Sequence, residues 1–337
     1  LYESGDLQMT IPLSILDLAP IRPGETATDS FAASVALAQR AEERGYRRVW
    51  YAEHHNIPTI ASSATSVLIA HVAAFTHSIR LGAGGIMLPN HSPLVIAEQF
   101  GTLEALHPGR IDLGLGRAPG SDQDTMFALR RNPMSAESFP DDVLELQGYL
   151  TGRSRIPGID ATPGKGANVP LYILGSSLFG ANLAATLGLP YAFASHFAPD
   201  ALQEAVATYR REFRPSAQLD RPYVIAGVNV VAADTTAEAQ AQFLATQRSR
   251  VTLLFGQGRA FSDEEADMVL RSPAGQHVQH MLTFSAVGTP AEVREYVEAF
   301  AKHANADELI VAHQASTTEA MLRSVELLAD SMQLASA

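Results

Sequence analysis

The feature that most constrains the fold is a repeated alternation of short apolar runs with longer amphipathic stretches. Eight such runs begin at residues 12, 48, 79, 111, 171, 191, 224 and 308, and helix-like sequence follows each one. These runs are too apolar to leave one sheet face in water, which is typical of parallel strands covered by helices. Eight strand–helix units predict a closed (β/α)8 TIM barrel, with an open doubly wound sheet as the alternative.

The sequence after the first strand favours the barrel. A doubly wound sheet that binds dinucleotides carries a glycine-rich turn there, whereas residues 20–24 read Pro-Ile-Arg-Pro-Gly. We predict a single barrel domain over residues 9–337, with insertions at 120–138, 152–170 and 257–283. Because the patterned sequence starts after Met9, we interpret residues 1–8 as an added remnant outside the fold.

Composition excludes several classes of protein. The chain has 337 residues, of which 46% are hydrophobic and 18% charged, as in globular proteins. Its net charge of −12 opposes binding to nucleic acids and to anionic membranes. The absence of cysteine removes disulfides, thiolate nucleophiles and cysteine-ligated metals. Without an apolar stretch of about twenty residues or a signal-peptide pattern, a cytoplasmic protein is expected.

Candidate reacting groups follow the strands, because barrel enzymes place their chemistry at the carboxyl ends of the strands. The second strand is followed by Glu53, His54 and His55. Neighbouring strand residues point to opposite faces, so at most one of these histidines faces the barrel mouth, and a metal site is not expected. A structural histidine remains an alternative. Histidine titrates near neutral pH, which favours a catalytic or cofactor-orienting role for His54.

An anion site is predicted between the fourth and fifth strands. Arg117 ends a glycine-rich strand, where a ligand can approach the backbone closely. Gly175, Ser176 and Ser177 join the fifth strand to a helix N-terminus, where free amides favour a phosphate. The alternatives are a structural salt bridge for the arginine and ordinary helix capping for the serines.

The third strand carries an unusual number of glycines. Gly82, Gly84 and Gly85 weaken a strand unless something packs closely against its backbone. A flat ring lying on the strand is one explanation, and a bulge or tight barrel packing is the other. Together with the anion site and the histidine, these glycines suggest a planar cofactor with a phosphate tail.

Four motifs in order along the chain now permit a comparison with a known family. They lie at residues 49–55, 82–89, 109–117 and 172–177. With them, the chain resembles the bacterial luciferase-like flavin-dependent monooxygenases. The resemblance covers almost the whole chain and implies a (β/α)8 barrel that binds reduced FMN or, in a sister branch, a reduced deazaflavin.

The resemblance also implies roles for individual residues. His54 matches the catalytic histidine beside the flavin, and Gly84 and Gly85 match a non-proline cis peptide or bulge that supports the ring. The flavin phosphate is implied to lie at Arg117 and at one strand–helix turn. The implied cofactor residues of that turn are Gly175, Ser176, Ser177, Phe179 and Gly180.

The implied reaction is oxidation of a small apolar organic substrate by O2 through a flavin hydroperoxide. Reduced FMN would come from a separate NAD(P)H-dependent reductase, and a homodimer is implied. The insertion 257–283 is a candidate lid over the barrel mouth. Gly116 and Ser176 replace a cysteine and an acidic residue of the light-emitting subunit, so general flavin chemistry is expected rather than light emission.

Three other functions remain open at this point. The first is hydride transfer from a reduced deazaflavin without oxygen. The second is a flavin-binding protein without turnover, which would leave His54 without an evident task. The third is metal-dependent hydrolysis, for which the only candidate ligand on the first strand is Asp17.

Overall fold

The chain forms one sheet of parallel strands. The computed structural model describes residues 11–118 and 122–335, so the proposed remnant at 1–8 and the start of the predicted 120–138 insertion lie outside the described residues. Within these ranges the strands are β1 (Leu13–Asp17), β2 (Arg48–Tyr51), β3 (Arg80–Met87), β4 (Ile111–Gly116), β5 (Leu171–Gly175), β6 (Tyr191–Phe193), β7 (Val224–Ala232), β8 (Ser285–Gly288) and β9 (Glu308–His313).

Eight of these strands close into a barrel. β1 to β7 pair in chain order, and β9 joins β7 to β1. The closing pair aligns Leu13 with Leu309. β8 pairs with the carboxyl-terminal part of β7, from Asn229 and Ser285 onwards, and is an addition to the barrel wall. The predicted (β/α)8 barrel is therefore confirmed, and the open doubly wound sheet is excluded because the sheet closes on itself.

Helices surround the barrel. They are α1 (Ala27–Glu43), α2 (Thr65–Ala73), α3 (Pro93–Leu106), α4 (Gln123–Ala128), α5 (Phe139–Leu150), α6 (Leu178–Leu187), α7 (Leu202–Glu212), α8 (Thr236–Phe255), α9 (Asp263–Leu270), α10 (Pro273–Met281), α11 (Pro290–His303) and α12 (Thr318–Met332). Two short 3₁₀ helices lie at Leu88–Asn90 and Pro133–Ala136. None of the helices in the described ranges is long and apolar enough to span a lipid bilayer.

The strands are buried on both faces, which explains their nearly continuous apolar sequence. Inside the barrel, Trp50 packs edge-on against Tyr172, with ring centroids 4.9 Å apart, and belongs to a small cluster with Ile225 and Ile310. Val49, which precedes Trp50, belongs instead to the large cluster between the strands and the helices. Alternate residues of each strand thus fill two separate apolar layers.

The amino-terminal end of the barrel is filled by a buried ion-pair network. Arg48, the first residue of β2, contacts Asp112 of β4 at 2.7 Å and Glu308 of β9 at 2.9 Å. Burial opposes the charge on Arg48, but the two carboxylates outweigh it and raise its pKa. Tyr172 accepts a further hydrogen bond from Arg48 at 2.7 Å. This network anchors strands from three sides of the barrel at the end opposite the mouth.

The insertions are more regular than the sequence analysis predicts. The segment 257–283, expected to be a loop, holds α9 and α10, and the 120–138 insertion holds α4. The sequence analysis also leaves α8, β8 and α11 unassigned. In α8 only Ala239 and Val251 are buried, so no apolar stripe marks it. β8 has four residues and alternates buried with partly buried positions, which gives too short a pattern to recognise.

Candidate functional site

All the predicted site residues lie towards the carboxyl-terminal end of the barrel. His54 follows β2, the Gly84–Gly85 pair lies in the second half of β3, and Arg117 follows β4. Gly175 ends β5, and the turn from Ser176 onwards leads into α6. The closed barrel brings the ends of these neighbouring strands together, as the strand positions predict.

Arg117 meets the beginning of α6. Its guanidinium lies over the Phe179 ring, 4.2 Å from the ring centroid, and it makes no ion pair within the described ranges. The salt-bridge alternative for Arg117 therefore finds no support in this part of the chain. Arg117 remains exposed. An aromatic ring thus holds this guanidinium near the N-terminus of α6, without an acidic partner in the described part of the chain.

The serine turn before α6 leaves its backbone amides available. Ser177 is the N-cap residue with an extended backbone, yet its side chain makes no capping hydrogen bond. Ordinary helix capping by this serine is therefore not observed. The carbonyl oxygen of Ser177 accepts a hydrogen bond from the Tyr191 hydroxyl at 3.0 Å, which fixes the turn. The free amides and the helix dipole together favour an anion at this point.

One glycine of the turn, Gly180, has a packing role. A Cβ atom on Gly180 would lie 3.2 Å from the Tyr191 ring and 3.8 Å from the Cα atom of Gly175. A side chain here would press α6 away from β5 and β6. Gly180 therefore allows the close approach of α6 to Tyr191, whereas a Cβ on Gly175 would make only ordinary contacts, the nearest at 3.8 Å.

The β3 glycines adopt the geometry that the resemblance implies. The peptide bond between Gly84 and Gly85 is cis, and the register with β4 shifts between Ala83 and Ile86. A Cβ on Gly84 would lie 2.8 Å from the Cβ atom of Trp50. Tight packing within the barrel thus suffices to explain this glycine, and support of a ring remains a prediction.

Glu53 organises the ends of β2 and β3, a role that the sequence analysis missed. Its buried carboxylate accepts hydrogen bonds from His55 at 2.8 Å, from His91 at 2.9 Å and from the backbone N–H of Met87 at 2.8 Å. Burial opposes ionisation, but these donors outweigh it and lower the pKa of Glu53 to about 2. The hydrogen bond to Glu53 correspondingly raises the pKa of His55. The sequence signal that could have indicated this role is His55, which lies two residues after Glu53.

The same contacts separate the two adjacent histidines. His55 is engaged with Glu53, whereas His54 lies near His196 in the loop after β6. The backbone N–H of His54 donates to the carbonyl oxygen of Ser62 at 3.0 Å, which fixes the chain direction after β2. In the part of the chain that the structure describes, no group of three or more acidic and histidine residues is arranged to hold a metal ion.

His196 is a second histidine at the mouth that the sequence analysis did not select. Burial, followed by the charges of Arg250 and His54, lowers its pKa to about 3. Its Nδ1 atom has no hydrogen-bond partner among the described residues, and its ring lies directly against Gly227 of β7. The backbone carbonyl of His196 accepts a hydrogen bond from the side chain of Asn229 at 2.7 Å. The sequence signal for the contact between His196 and β7 was Gly227, a glycine within an apolar run.

A cleft of about 420 Å³ opens beside Arg117. Its lining includes Asn90 from the 3₁₀ helix after β3, Met126 of α4, and a second arginine, Arg131. The Nε atom of Arg131 is buried and has no hydrogen-bond partner within residues 11–118 and 122–335. The insertion after β4 therefore forms one wall of this cleft, which has the size of a small-ligand site.

Comparison with known proteins identifies relatives over nearly the whole chain. The family model described as luciferase-like monooxygenase matches residues 11–307. A luciferase-like monooxygenase of Escherichia coli K12 is 50% identical over 325 residues, which cover 95% of this chain and 97% of that protein. The N-acetyl-S-alkylcysteine monooxygenase of Bacillus subtilis is 38% identical over 78% of this chain and 80% of its own.

Solved structures share the fold. Apo-MsnO8 is 34% identical, has a TM-score of 0.87, and the match covers 96% of this chain and 99% of that one. The oxygenating component of 3,6-diketocamphane monooxygenase from Pseudomonas putida, solved with FMN, has a TM-score of 0.70 at 17% identity, over 96% and 98%. The coenzyme F420-dependent tetrahydromethanopterin reductase of Methanopyrus kandleri has a TM-score of 0.66 at 18% identity, over 95% and 97%.

Proposed function

Since the chain belongs to the luciferase-like monooxygenase family, we propose that it is a flavin-dependent monooxygenase acting on a small organic substrate. The observation that carries this proposal is the guanidinium of Arg117, which has no ion pair among the described residues, beside a helix α6 whose N-cap serine makes no capping hydrogen bond. A cation, free amides and two serine hydroxyls form a site that suits a phosphate group. FMN has such a group at the end of its side chain.

The residues around this point fit the phosphate of FMN. Arg117 would pair with the phosphate, and Ser176 and Ser177 would donate hydrogen bonds from their hydroxyls and amides. Phe179 would hold the guanidinium in place, and the glycines of the turn would leave room for the ligand. Arg131, in the adjoining cleft, offers a second positive charge. These are the residues that we propose to bind the cofactor.

The ring would lie towards Gly84 and Gly85, with His54 beside it. When bound, reduced FMN supplies the two electrons with which one oxygen atom of O2 goes to the substrate and the other to water. His54 would hold or release a proton at the reacting centre, because an imidazole titrates near neutral pH. The hydrogen bonds of Glu53 with His55 and with the backbone of Met87 would hold in place the chain that carries His54.

We favour FMN and oxygen over a deazaflavin because of the sequence identities to relatives of each kind. Two relatives that are 50% and 38% identical to this chain are named monooxygenases. The F420-dependent structures share 18% and 15%, which supports a common fold only. A reduced deazaflavin is therefore the second candidate cofactor.

Two partners belong to the proposal. The first is a separate NAD(P)H-dependent reductase that supplies reduced FMN. The second is another copy of this chain, because α2, the turn after it and α3 carry exposed apolar side chains. Val67 and Leu106 are 67% and 64% exposed, and Phe75 and Val95 are 47% and 43% exposed. Burying these side chains in a homodimer would remove apolar surface from water.

Rapid mixing tests the proposed reaction. The protein would be loaded anaerobically with reduced FMN and mixed with oxygenated buffer, with and without N-acetyl-S-methylcysteine, a compound suggested by the Bacillus relative. We expect bound FMN to reoxidise more slowly than free FMN, and we expect 18O from O2 in the product. Reoxidation at the rate of free FMN would contradict the proposal. Binding of reduced F420 in its place would establish the deazaflavin alternative.

A further inference from the structure

The ring of His196 lies inside the barrel, on the inner face of β7. Ile225 belongs to the apolar cluster inside the barrel, so Gly227, two residues later on the same strand, also faces inwards. A Cβ atom on Gly227 would lie only 2.4 Å from the Nδ1 atom of His196. The imidazole therefore fills the space in which an inward-pointing side chain of β7 would stand.

Hydrogen bonds join the segment that carries His196 to the proposed cofactor site. The backbone N–H of Ala194 donates to the carbonyl oxygen of Gly175 at 2.9 Å. Gly175 ends β5 and leads into the turn that we propose to hold the flavin phosphate. On the other side, the Ser195 hydroxyl donates to the carbonyl oxygen of Gly227 at 2.6 Å. These contacts fix the start of the loop after β6 between the ends of β5 and β7.

Small residues line the mouth above the inner apolar cluster. Ala52, Ala194 and Ala312 each stand two residues after a member of that cluster and therefore face inwards above it. Gly84 of β3 and His196 remain partly exposed although both lie within the barrel. In the closed barrel β3 and β7 are four strands apart in either direction, so Gly84 and His196 stand on opposite sides of the mouth.

The contact with Gly227 determines which ring nitrogen of His196 carries a proton. Nδ1 is buried, and a proton on it would point at the backbone of Gly227, where the described residues offer no acceptor. Burial lowers the pKa of the ring to about 3, so His196 is neutral at pH 7. Its one proton therefore resides on Nε2. Since Nδ1 is buried and the residue as a whole is partly exposed, the opposite edge of the ring, with Nε2, faces the mouth.

The surroundings of the ring favour an apolar ligand with one acceptor oxygen. Phe197, which is 41% exposed, packs edge-on against His196 with ring centroids 5.0 Å apart. The nearby Asn229 side chain is already engaged, because it donates to the His196 carbonyl oxygen at 2.7 Å and accepts from Gln314 at 3.0 Å. A single available N–H donor in a wall of this kind matches an oxygen atom on an otherwise apolar molecule.

We propose that His196 is a substrate-binding residue whose Nε2–H donates a hydrogen bond to an oxygen atom of the organic substrate. This inference rests on the proposed function, since it assigns how the same site holds its substrate. The flavin ring is the other possible acceptor. That ring is proposed to lie against Gly84, so His196 stands on the far side of the mouth, where the substrate would lie. His196 thus holds the substrate, and His54 remains the residue proposed to exchange a proton.

Headspace gas chromatography with the full chain at pH 7 tests the proposal with two volatile probes. The probes are 2-hexanone and 2-methyl-1-hexene, which differ by an oxygen atom in place of a methylene group. His196→Leu should weaken binding of 2-hexanone by about 3- to 10-fold and leave binding of 2-methyl-1-hexene unchanged or tighter. His196→Gln keeps an N–H donor and should restore much of the loss. His107→Leu is the matched control, because His107 follows α3 at the other end of the barrel, and it should change neither probe.

Two further readouts separate substrate binding from other roles. Nitrogen-15 NMR of histidine-labelled protein should show His196, identified by its loss in His196→Leu, with a proton on Nε2 and none on Nδ1 between about pH 6 and 8. Addition of 2-hexanone should shift this Nε2 signal. His196→Leu should also unfold at an equal or higher urea concentration than the natural protein, because it removes an unpaired buried nitrogen. FMN affinity should change less than twofold.

Equal losses of both probes in His196→Leu, no binding of 2-hexanone to the natural protein, or a proton on Nδ1 would overturn the inference. A lower urea midpoint with unchanged 2-hexanone binding would show that His196 serves the fold alone. A loss of FMN affinity as large as that caused by Arg117→Met would show that His196 contacts the flavin instead. If 2-hexanone binding depends on His196 but FMN does not bind, the proposed function fails while His196 retains its role as a donor to the ligand.

Discussion

Replacing Glu53 by glutamine is expected to lower the free energy of unfolding by about 3 kcal/mol at pH 7. The Glu53 carboxylate is 1% exposed and accepts hydrogen bonds from His55, His91 and the backbone of Met87. Burial opposes its charge, but these donors bring its pKa to about 2 from an ordinary value of 4.5. Each pH unit of difference between the folded and unfolded pKa corresponds to about 1.4 kcal/mol. Glutamine keeps the shape of the side chain and removes the charge.

Urea unfolding followed by tryptophan fluorescence measures this loss. Trp50, the only tryptophan of the chain, is buried inside the barrel and reports its opening. Glu43→Gln is the matched control. The Glu43 side chain is 66% exposed and pairs with Arg40 at 3.2 Å on the helix surface, so its removal should cost less than about 0.5 kcal/mol.

The pH dependence gives a second test of the same reasoning. Because the pKa of Glu53 is depressed in the folded state, its stabilisation is complete above pH 4.5 and is lost as the pH falls towards 2. The difference between the natural protein and Glu53→Gln should therefore fall to about 2 kcal/mol at pH 3.5. A difference below about 1 kcal/mol at pH 7, or one that is the same at both pH values, would refute the argument.

Three further predictions concern the cofactor site. Arg117→Met should weaken FMN binding by about 10- to 100-fold in a fluorescence titration and leave the turnover number at saturating FMN nearly unchanged. A variant that still binds FMN tightly would show that Arg117 does not bind the phosphate. His54→Ala should lower turnover by about 100-fold or more with FMN affinity within twofold, and equal losses in both quantities would show that His54 serves binding instead. Gly84→Ala should lower stability by about 1–3 kcal/mol, because the new methyl group would lie 2.8 Å from the Cβ atom of Trp50. An unchanged melting temperature would show that the backbones of β2 and β3 can shift apart.

The sequence predicts the barrel and the neighbourhood of Arg117 well, for a shared physical reason. Strands that are buried on both faces must be apolar throughout, so each one is marked locally. The order of strands in a barrel then places the end of β4 beside the end of β5, which brings Arg117 to Phe179. Contacts between adjacent strands are thus fixed by local pattern and barrel order together.

Contacts made through the insertions are not predictable in this way. α8 begins four residues beyond the end of β7 and has only two buried residues and no apolar stripe. No local pattern records how α8 packs against β7 and β8, where Phe243 meets Val231 and Val287. Glu53 was visible in the sequence, but its carboxylate could be assigned only once the ends of β2 and β3 were known to meet.

The arrangement of β7 and β8 has a consequence for how this protein could change over time. The segment from Thr236 to Phe284 leaves β7 at its carboxyl end and returns beside the same strand, where Asn229 aligns with Ser285. Its departure and return points are therefore neighbours, and the closed wall of eight strands does not depend on what lies between them. Mutation can therefore lengthen, shorten or replace this segment while the barrel stays intact. Selection can then alter which molecules bind at the barrel mouth without changing the eight strands of the barrel.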